Sequence, residues 1–194
     1  MFKRNFLLAA ALLGLLAFAP LPIAAQDDAG EMTESPARKK KKKAKKAASP
    51  VVTAVKKVKK VKGRVNEKAD YFIYLFSASW CAPCCHEMPE IVELYDDIKK
   101  SGKVDIILFC QDKTPAAAKA FVKRFNIKFL TIMGNDEKVR KVPGYAPAGG
   151  IPHCIFVDRY GRQIRAGHPG NLMSLWESLT IENGEPVAPA DTEE

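Results

Sequence analysis

The densest reactive chemistry in this 194-residue chain is the run Cys81-Ala-Pro-Cys84. Two thiols three residues apart on one helical turn can close into a disulfide and be reopened. Thiolate is the nucleophilic form of cysteine, and a helix N-terminus favours it through unpaired N–H groups and the helix dipole. Cys81 is placed to attack a disulfide, and Cys84 to attack Cys81 in turn and release the bound thiol. Pro83 stiffens this turn, and the N–H it lacks is not used in the first turn of a helix. A lone CxxC fits zinc poorly, because zinc sites need two such pairs or added His ligands. With Cys85, Cys110 and Cys154 the chain holds five cysteines, so any pairing leaves one over, which argues against a purely structural disulfide framework. Cys85 reads as a packed or half-exposed bystander, and His86 as a solvent-facing helix residue. Trp80, beside Cys81, serves either substrate access or packing.

These residues need a strand-to-helix junction to position them, and the pattern supplies one. Tyr71 to Phe76 is a continuous apolar run that fits a strand buried on both faces. Residues 82–100 follow with Met88, Ile91, Val92, Tyr95 and Ile98 at helical spacing, closed by Lys99, Lys100 and Gly102. Val104 to Phe109 predicts a second buried strand. Thr114 and Pro115 open a helix through about Phe125. A short strand over 127–133 and a short helix over 136–142 come next, then a loop rich in Pro and Gly from Pro143 to Pro152. Cys154 to Val157 and Gln163 to Ala166 flank Asp158-Arg-Tyr-Gly161, a hairpin signature. A closing helix is expected over Leu172 to Leu179. The order β-α-β-α-(β-α)-β-β-α predicts an α/β fold with a central mixed sheet flanked by helices.

The charge is uneven. The chain carries a net +9, yet residues 38–64 hold 14 Lys or Arg and no acid. The basic character therefore belongs to one segment and not to the domain that follows. At the start, Lys3 and Arg4 precede a 14-residue apolar run, Phe6 to Ala19, broken by Pro20 and Pro22 and followed by Ile23-Ala24-Ala25. That pattern predicts a signal peptide over 1–25, cleaved after Ala25; the run is short of the roughly 20 residues a membrane span requires. The expected location is periplasmic or otherwise extracytoplasmic, where a persistent disulfide is chemically reasonable. Residues 26–65 are expected to be a disordered Lys-rich linker. Within it, Val52, Val55, Val58 and Val61 recur every third residue, a weak hint of a basic amphipathic helix set against a solvated spacer. An anionic envelope surface is a candidate partner for this segment; nucleic acid is not, since no aromatic residue is present there for base stacking. Residues 66–181 are assigned to the folded domain and 182–194 to a flexible polar tail.

The segment Ser77-Ala-Ser-Trp-Cys-Ala-Pro-Cys84 with Glu87-Met88-Pro89 resembles the active site of the TlpA/ResA branch of thioredoxin-like proteins, and also that of tryparedoxin and nucleoredoxin. Gly150-Ile151-Pro152 followed by a strand and Asp158-Arg-Tyr-Gly161 is similar to the family's cis-proline loop and last hairpin. The resemblance covers roughly residues 66–181. It implies a thioredoxin fold, thiol-disulfide oxidoreductase activity without a cofactor, and protein thiols or disulfides as substrates, with an unidentified redox partner to reset the pair. Cys81 and Cys84 are then catalytic, and Trp80, Pro83, Ile151 and Pro152 bind substrate. In a thioredoxin-like sheet the strands bearing Cys110 and Cys154 lie on either side of the one leading to Cys81, so these two are expected to stay reduced. Leu75 stands where thioredoxin carries a buried acid, leaving that role absent or filled elsewhere, with Glu87 a candidate. Family analogy favours reduction of envelope protein disulfides over their formation. The alternative is copper delivery through Cys81, Cys85 and His153, since copper-delivery members of the superfamily use CxxxC plus a His. A third reading makes the lysine tract the functional part and the domain its scaffold.

Overall fold

A computed structural model of the chain describes residues 48–178. In chain order the elements are α1 (Pro50–Val55), β1 (Lys60–Lys62), β2 (Tyr71–Ser77), α2 (Ala82–Ser101), β3 (Val104–Cys110), α3 (Pro115–Arg124), β4 (Leu130–Met133), a 3-10 turn (Glu137–Lys141), β5 (His153–Asp158), β6 (Gln163–Gly167), α4 (Pro169–Leu172) and a further 3-10 turn (Met173–Leu175). The expected signal peptide, the linker up to residue 47 and the polar tail lie outside the described residues. The strands form one sheet in the order β1-β4-β3-β2-β5-β6. β2, β3 and β4 run parallel, while β1, β5 and β6 are antiparallel to their neighbours. This is the central mixed sheet read from the sequence.

Alternation along β2 explains why both faces of the sheet are dry. Ile73 and Leu75 point into one cluster with Met88, Ile91, Tyr95 and Ile98 of α2 and Phe121 of α3. Phe72, Tyr74 and Phe76 point the other way, to join Phe109, Ile107 and Ile155. Something must cover that second face, and the cover is α1. Val51, Val52, Val55 and Val58 are each at most 5% exposed there, together with Val139 and Val142.

The disordered linker expected over 26–65 is therefore corrected for its last part. From Ser49 onward the chain is built into the domain. Ser49 caps α1, its Oγ accepting from Val52 N at 3.3 Å and donating to the Arg159 carbonyl at 2.6 Å. The intervening lysines 56, 57, 59 and 60 face solvent. Charge count over the segment averages a wet face with a dry one, and each buried Val is worth about 2 kcal/mol of apolar burial. Asp136 ties β1 down: its carboxylate accepts from Lys59 N at 2.7 Å and Lys138 N at 2.9 Å. These backbone donors hold the Asp136 carboxyl below the usual carboxylate range.

Smaller departures follow from local chemistry. The expected helix over 136–142 is a 3-10 turn that Asp136 caps. The strand expected from 127 starts at Leu130, after Asn126 enters the left-handed region at φ 51°. The closing helix expected over Leu172 to Leu179 is instead a four-residue helix that Pro169 opens and that ends at Leu172, followed by a 3-10 turn, with residue 179 outside the described residues.

Candidate active site

β2 ends at Ser77 and the chain turns once, with Cys81 N donating to the Ala78 carbonyl at 3.3 Å, before α2 begins at Ala82. Cys81 is the N-cap of that 20-residue helix, and its Sγ accepts from Cys84 N at 3.3 Å. Cys81 and Cys84 are joined in a disulfide, with Cα atoms 5.2 Å apart. Both are buried, at 6% and 1% exposure, and pack with Ala78 and Ile151. Pro89 lies inside α2, two turns on from Cys81.

The distant half of the site arrives on the loop before β5. The Ile151–Pro152 peptide is cis, and the Ile151 carbonyl oxygen lies 3.6 Å from Cys81 Sγ. Two anchors hold the start of that loop. Tyr74 donates its hydroxyl to the Pro143 carbonyl at 2.8 Å, and Gly161 in the β5–β6 turn packs directly on Pro143. Gly161 has φ +89°, and a side chain there would collide with Pro143, so only glycine serves both turn and contact.

Of the residues singled out in the sequence, Cys81, Cys84 and Ile151 meet directly. Pro152 is half-buried next to Ile151 in the chain, and Pro83 is exposed on the first turn of α2. Trp80 is 65% exposed, which rules out packing as its role. His86 faces solvent as expected. Leu75 is fully buried in the apolar core. Glu87 places Oε1 3.0 Å from His168 Nε2, while its Oε2 is buried without a hydrogen-bond partner among the described residues.

The copper alternative is not supported. Among the described residues no group of three His, Cys, Asp or Glu side chains gathers closely enough to hold a metal ion. Cys85 instead donates its S–H to the Ser79 carbonyl at 3.4 Å. Burial lowers the His153 imidazole from its ordinary value, and its ring lies 6.0 Å from that of Phe76.

The reading of the sequence missed Asp112 and Ser79. Asp112, 1% exposed in the β3–α3 loop, accepts from Ser79 N at 3.3 Å and from Ser79 Oγ at 2.6 Å, and from the Cys110 S–H at 3.1 Å. The available signal was an acid two residues beyond the end of a strand that is apolar from Ile106 to Cys110, on the side of the sheet where CxxC emerges.

Cys110 and Cys154 are free and fully buried, as expected. Their strands lie on either side of β2, with Leu75 facing Leu108 on one side and Cys154 on the other. Desolvation pushes both thiols up to about 12, with Glu87 adding repulsion at Cys154. At pH 8 the thiolate fraction of each is then about one in ten thousand. Iodoacetamide at pH 8 is expected to leave both unmodified in the folded protein and to label both after denaturation, as read by mass spectrometry of their peptides.

Comparison with known proteins agrees with this geometry. The Redoxin family profile matches residues 39–172. Thiol-disulfide oxidoreductase ResA of Bacillus thuringiensis subsp. konkukian is 36% identical over 90 residues, covering 46% of this chain and 50% of that protein. ResA of Geobacillus kaustophilus is 30% identical over 112 residues, covering 55% and 62%. The chain thus spans about half the length of the first of these relatives. Native tryparedoxin I from Crithidia fasciculata superimposes with a TM-score of 0.52 at 20% identity, covering 66% of this chain and 93% of that one. With a profile match over most of its length and a shared architecture, the chain belongs to the Redoxin family and has the thioredoxin fold.

Proposed function

We propose that this protein is an exported thiol-disulfide oxidoreductase in which Cys81 is the nucleophile and Cys84 the resolving thiol. The observation that carries the reading is the Cys81–Cys84 bridge at the N-terminus of α2, set against the Ile151 carbonyl. In the reducing direction, the Cys81 thiolate attacks one sulfur of a substrate disulfide, forming a mixed disulfide and expelling the other sulfur as a thiolate. Cys84 then loses its proton and attacks Cys81 Sγ. The substrate's second sulfur leaves as a thiolate, and the two electrons of the Cys81/Cys84 dithiol have passed to the substrate. An external dithiol partner returns the bridge to its reduced form.

Each residue's role follows from its position. The α2 N-terminus favours the Cys81 thiolate through its free N–H groups and dipole. Cys84, 1% exposed, is hidden from bulk thiols and so reacts with its neighbour. Exposed Trp80 and Pro83 and half-buried Ile151 and Pro152 form the surface on which a substrate chain would lie. Lys3, Arg4 and the apolar run Phe6 to Ala19 support export, so protein disulfides of the cell envelope are the proposed substrates. The Lys-rich segment ahead of the domain would favour an anionic envelope surface.

The test is a redox titration of the protein against glutathione, following the Cys81–Cys84 pair by thiol trapping. A reversible two-electron transition is expected, absent in Cys84→Ser. A midpoint near about −270 mV would fit a reductant and one near about −120 mV an oxidase. A pair that never opens across this range would refute the reading.

A further inference from the structure

Resting on the exchange role proposed for Cys81, we infer that Asp112 is a positioning residue of the site, acting through Ser79 to fix the turn that presents Cys81. Ser79 is held on every polar atom it has. Its N–H donates to both Asp112 oxygens at 3.3 Å, its hydroxyl to Oδ1 at 2.6 Å, and its carbonyl accepts from Cys85 Sγ at 3.4 Å. The 2.6 Å contact has the length of a charge-assisted hydrogen bond. Ser79 lies two residues before Cys81, between buried Ala78 and solvent-exposed Trp80.

The location argues for a role beyond holding the fold together. Asp112 is 33 residues from Ser79 and reaches it because β2 and β3 run parallel in register, Ser77 beside Cys110. Both strands therefore end at the same edge, and the carboxylate bridges the two loops that leave it. A buried carboxylate is unfavourable unless donors surround it, and an apolar residue would cover the same space without that cost. Here three donors converge on it, two from Ser79 and one from the Cys110 thiol, which burial keeps protonated and able to donate. The same knot assigns Cys85 and Cys110 their parts: each thiol supplies a hydrogen, Cys85 to the Ser79 carbonyl and Cys110 to Asp112.

The position of Cys81 depends on this knot. Its N-cap geometry requires the Ala78–Cys81 turn to stay closed, so that Sγ meets Cys84 N and faces the Ile151 carbonyl. Releasing Ser79 frees that turn, and the thiolate formed on reduction loses its alignment with the helix N-terminus.

The test uses the full chain with Asp112→Asn, Ser79→Ala and the double variant. It reads the rate at which reduced Cys81 is alkylated by iodoacetamide, peptide by peptide, across pH 5–10, beside the rate of exchange with a model disulfide. Asp112→Asn should slow both about tenfold at neutral pH and move the pH midpoint of Cys81 upward. Ser79→Ala should act in the same direction by about threefold, and the double variant should be no worse than Asp112→Asn. The direction separates positioning from simple charge, since removing an anion alone would make the Cys81 thiolate easier to form and move the midpoint downward. A downward or unmoved midpoint in folded Asp112→Asn, or Cys81 rates at the wild-type level with only a lower melting temperature, would overturn the proposal. Should Asp112→Asn fail to fold, Ser79→Ala decides alone, because it deletes one hydroxyl and no charge; a wild-type rate there overturns the proposal. No exchange by the wild-type protein would instead sink the exchange reading on which the proposal depends.

Discussion

Cys81→Ser is expected to abolish disulfide exchange, with kcat/KM falling by about a thousandfold or more, while Cys84→Ser halts the reaction halfway. The two outcomes differ because the proposed scheme has the cysteines act in sequence. A serine hydroxyl at 81 is far too weak an acid to supply the attacking anion at neutral pH, so no covalent adduct forms. With Cys81 intact and Cys84 replaced, the first attack proceeds but nothing expels the substrate. A mixed disulfide between Cys81 and the substrate should accumulate, visible as a higher-mass species on non-reducing electrophoresis and removed by dithiothreitol. An adduct formed equally well by Cys81→Ser would reverse the assignment of nucleophile and resolving thiol. The burial of Cys84 at 1%, against 6% for Cys81, gives the direction.

Val55→Asp is expected to unfold the domain or lower its melting temperature by about 15 °C or more. Val55 is 1% exposed within the cluster formed by α1, the 3-10 turn and the second face of the sheet. The substitution removes about 2 kcal/mol of apolar burial and places an unpaired carboxylate in a dry contact, a further cost of several kcal/mol. Set against the 5–15 kcal/mol that holds a typical domain, the sum is most of the margin. Lys57→Asp, two residues on and exposed, is the matched control and should shift the melting temperature by about 2 °C at most. If residues 50–65 were a solvated spacer, both variants would melt like wild type.

That contrast shows what could be read from the sequence and what could not. β2, α2, β3 and the β5–β6 hairpin were legible because each carries its own signal: an apolar run, a helical period, a capped turn, or Asp158-Arg-Tyr-Gly161. The CxxC and Pro152 were legible as short motifs, and the structure brings Ile151 to 3.6 Å of Cys81 across 70 residues. α1 was not legible, because four valines among lysines look the same whether they face water or a sheet. What decides is the aromatic second face of β2 and β3, which needed a cover that no strongly apolar helix elsewhere supplied. The link from Asp112 to Ser79 was hidden for another reason. Asp112 forms part of no local motif, Ser79 stands out in the sequence only as a member of the run Ser77 to Cys84, and the two meet only through the parallel register of two strands. Cys85 was readable as a bystander by type, but its bond to the Ser79 carbonyl depends on that same register-built loop.

The two rims of the sheet have a consequence for a protein proposed to handle disulfides in other chains. Its clients would be partly unfolded, with strands free to pair with any open ladder. β1, one rim, is three residues long and turns Lys60 and Lys62 to solvent. β6, the other, exposes Gln163 and Arg165 and is closed off by Gly167 and Pro169. A client strand adding to either rim would lie against cationic side chains on a short, irregular ladder. In the proposed role, the lysines that follow α1 and flank β1 would keep clients engaged through their sulfur atoms and discourage them from zipping onto the sheet, so that each could be released when the exchange is complete.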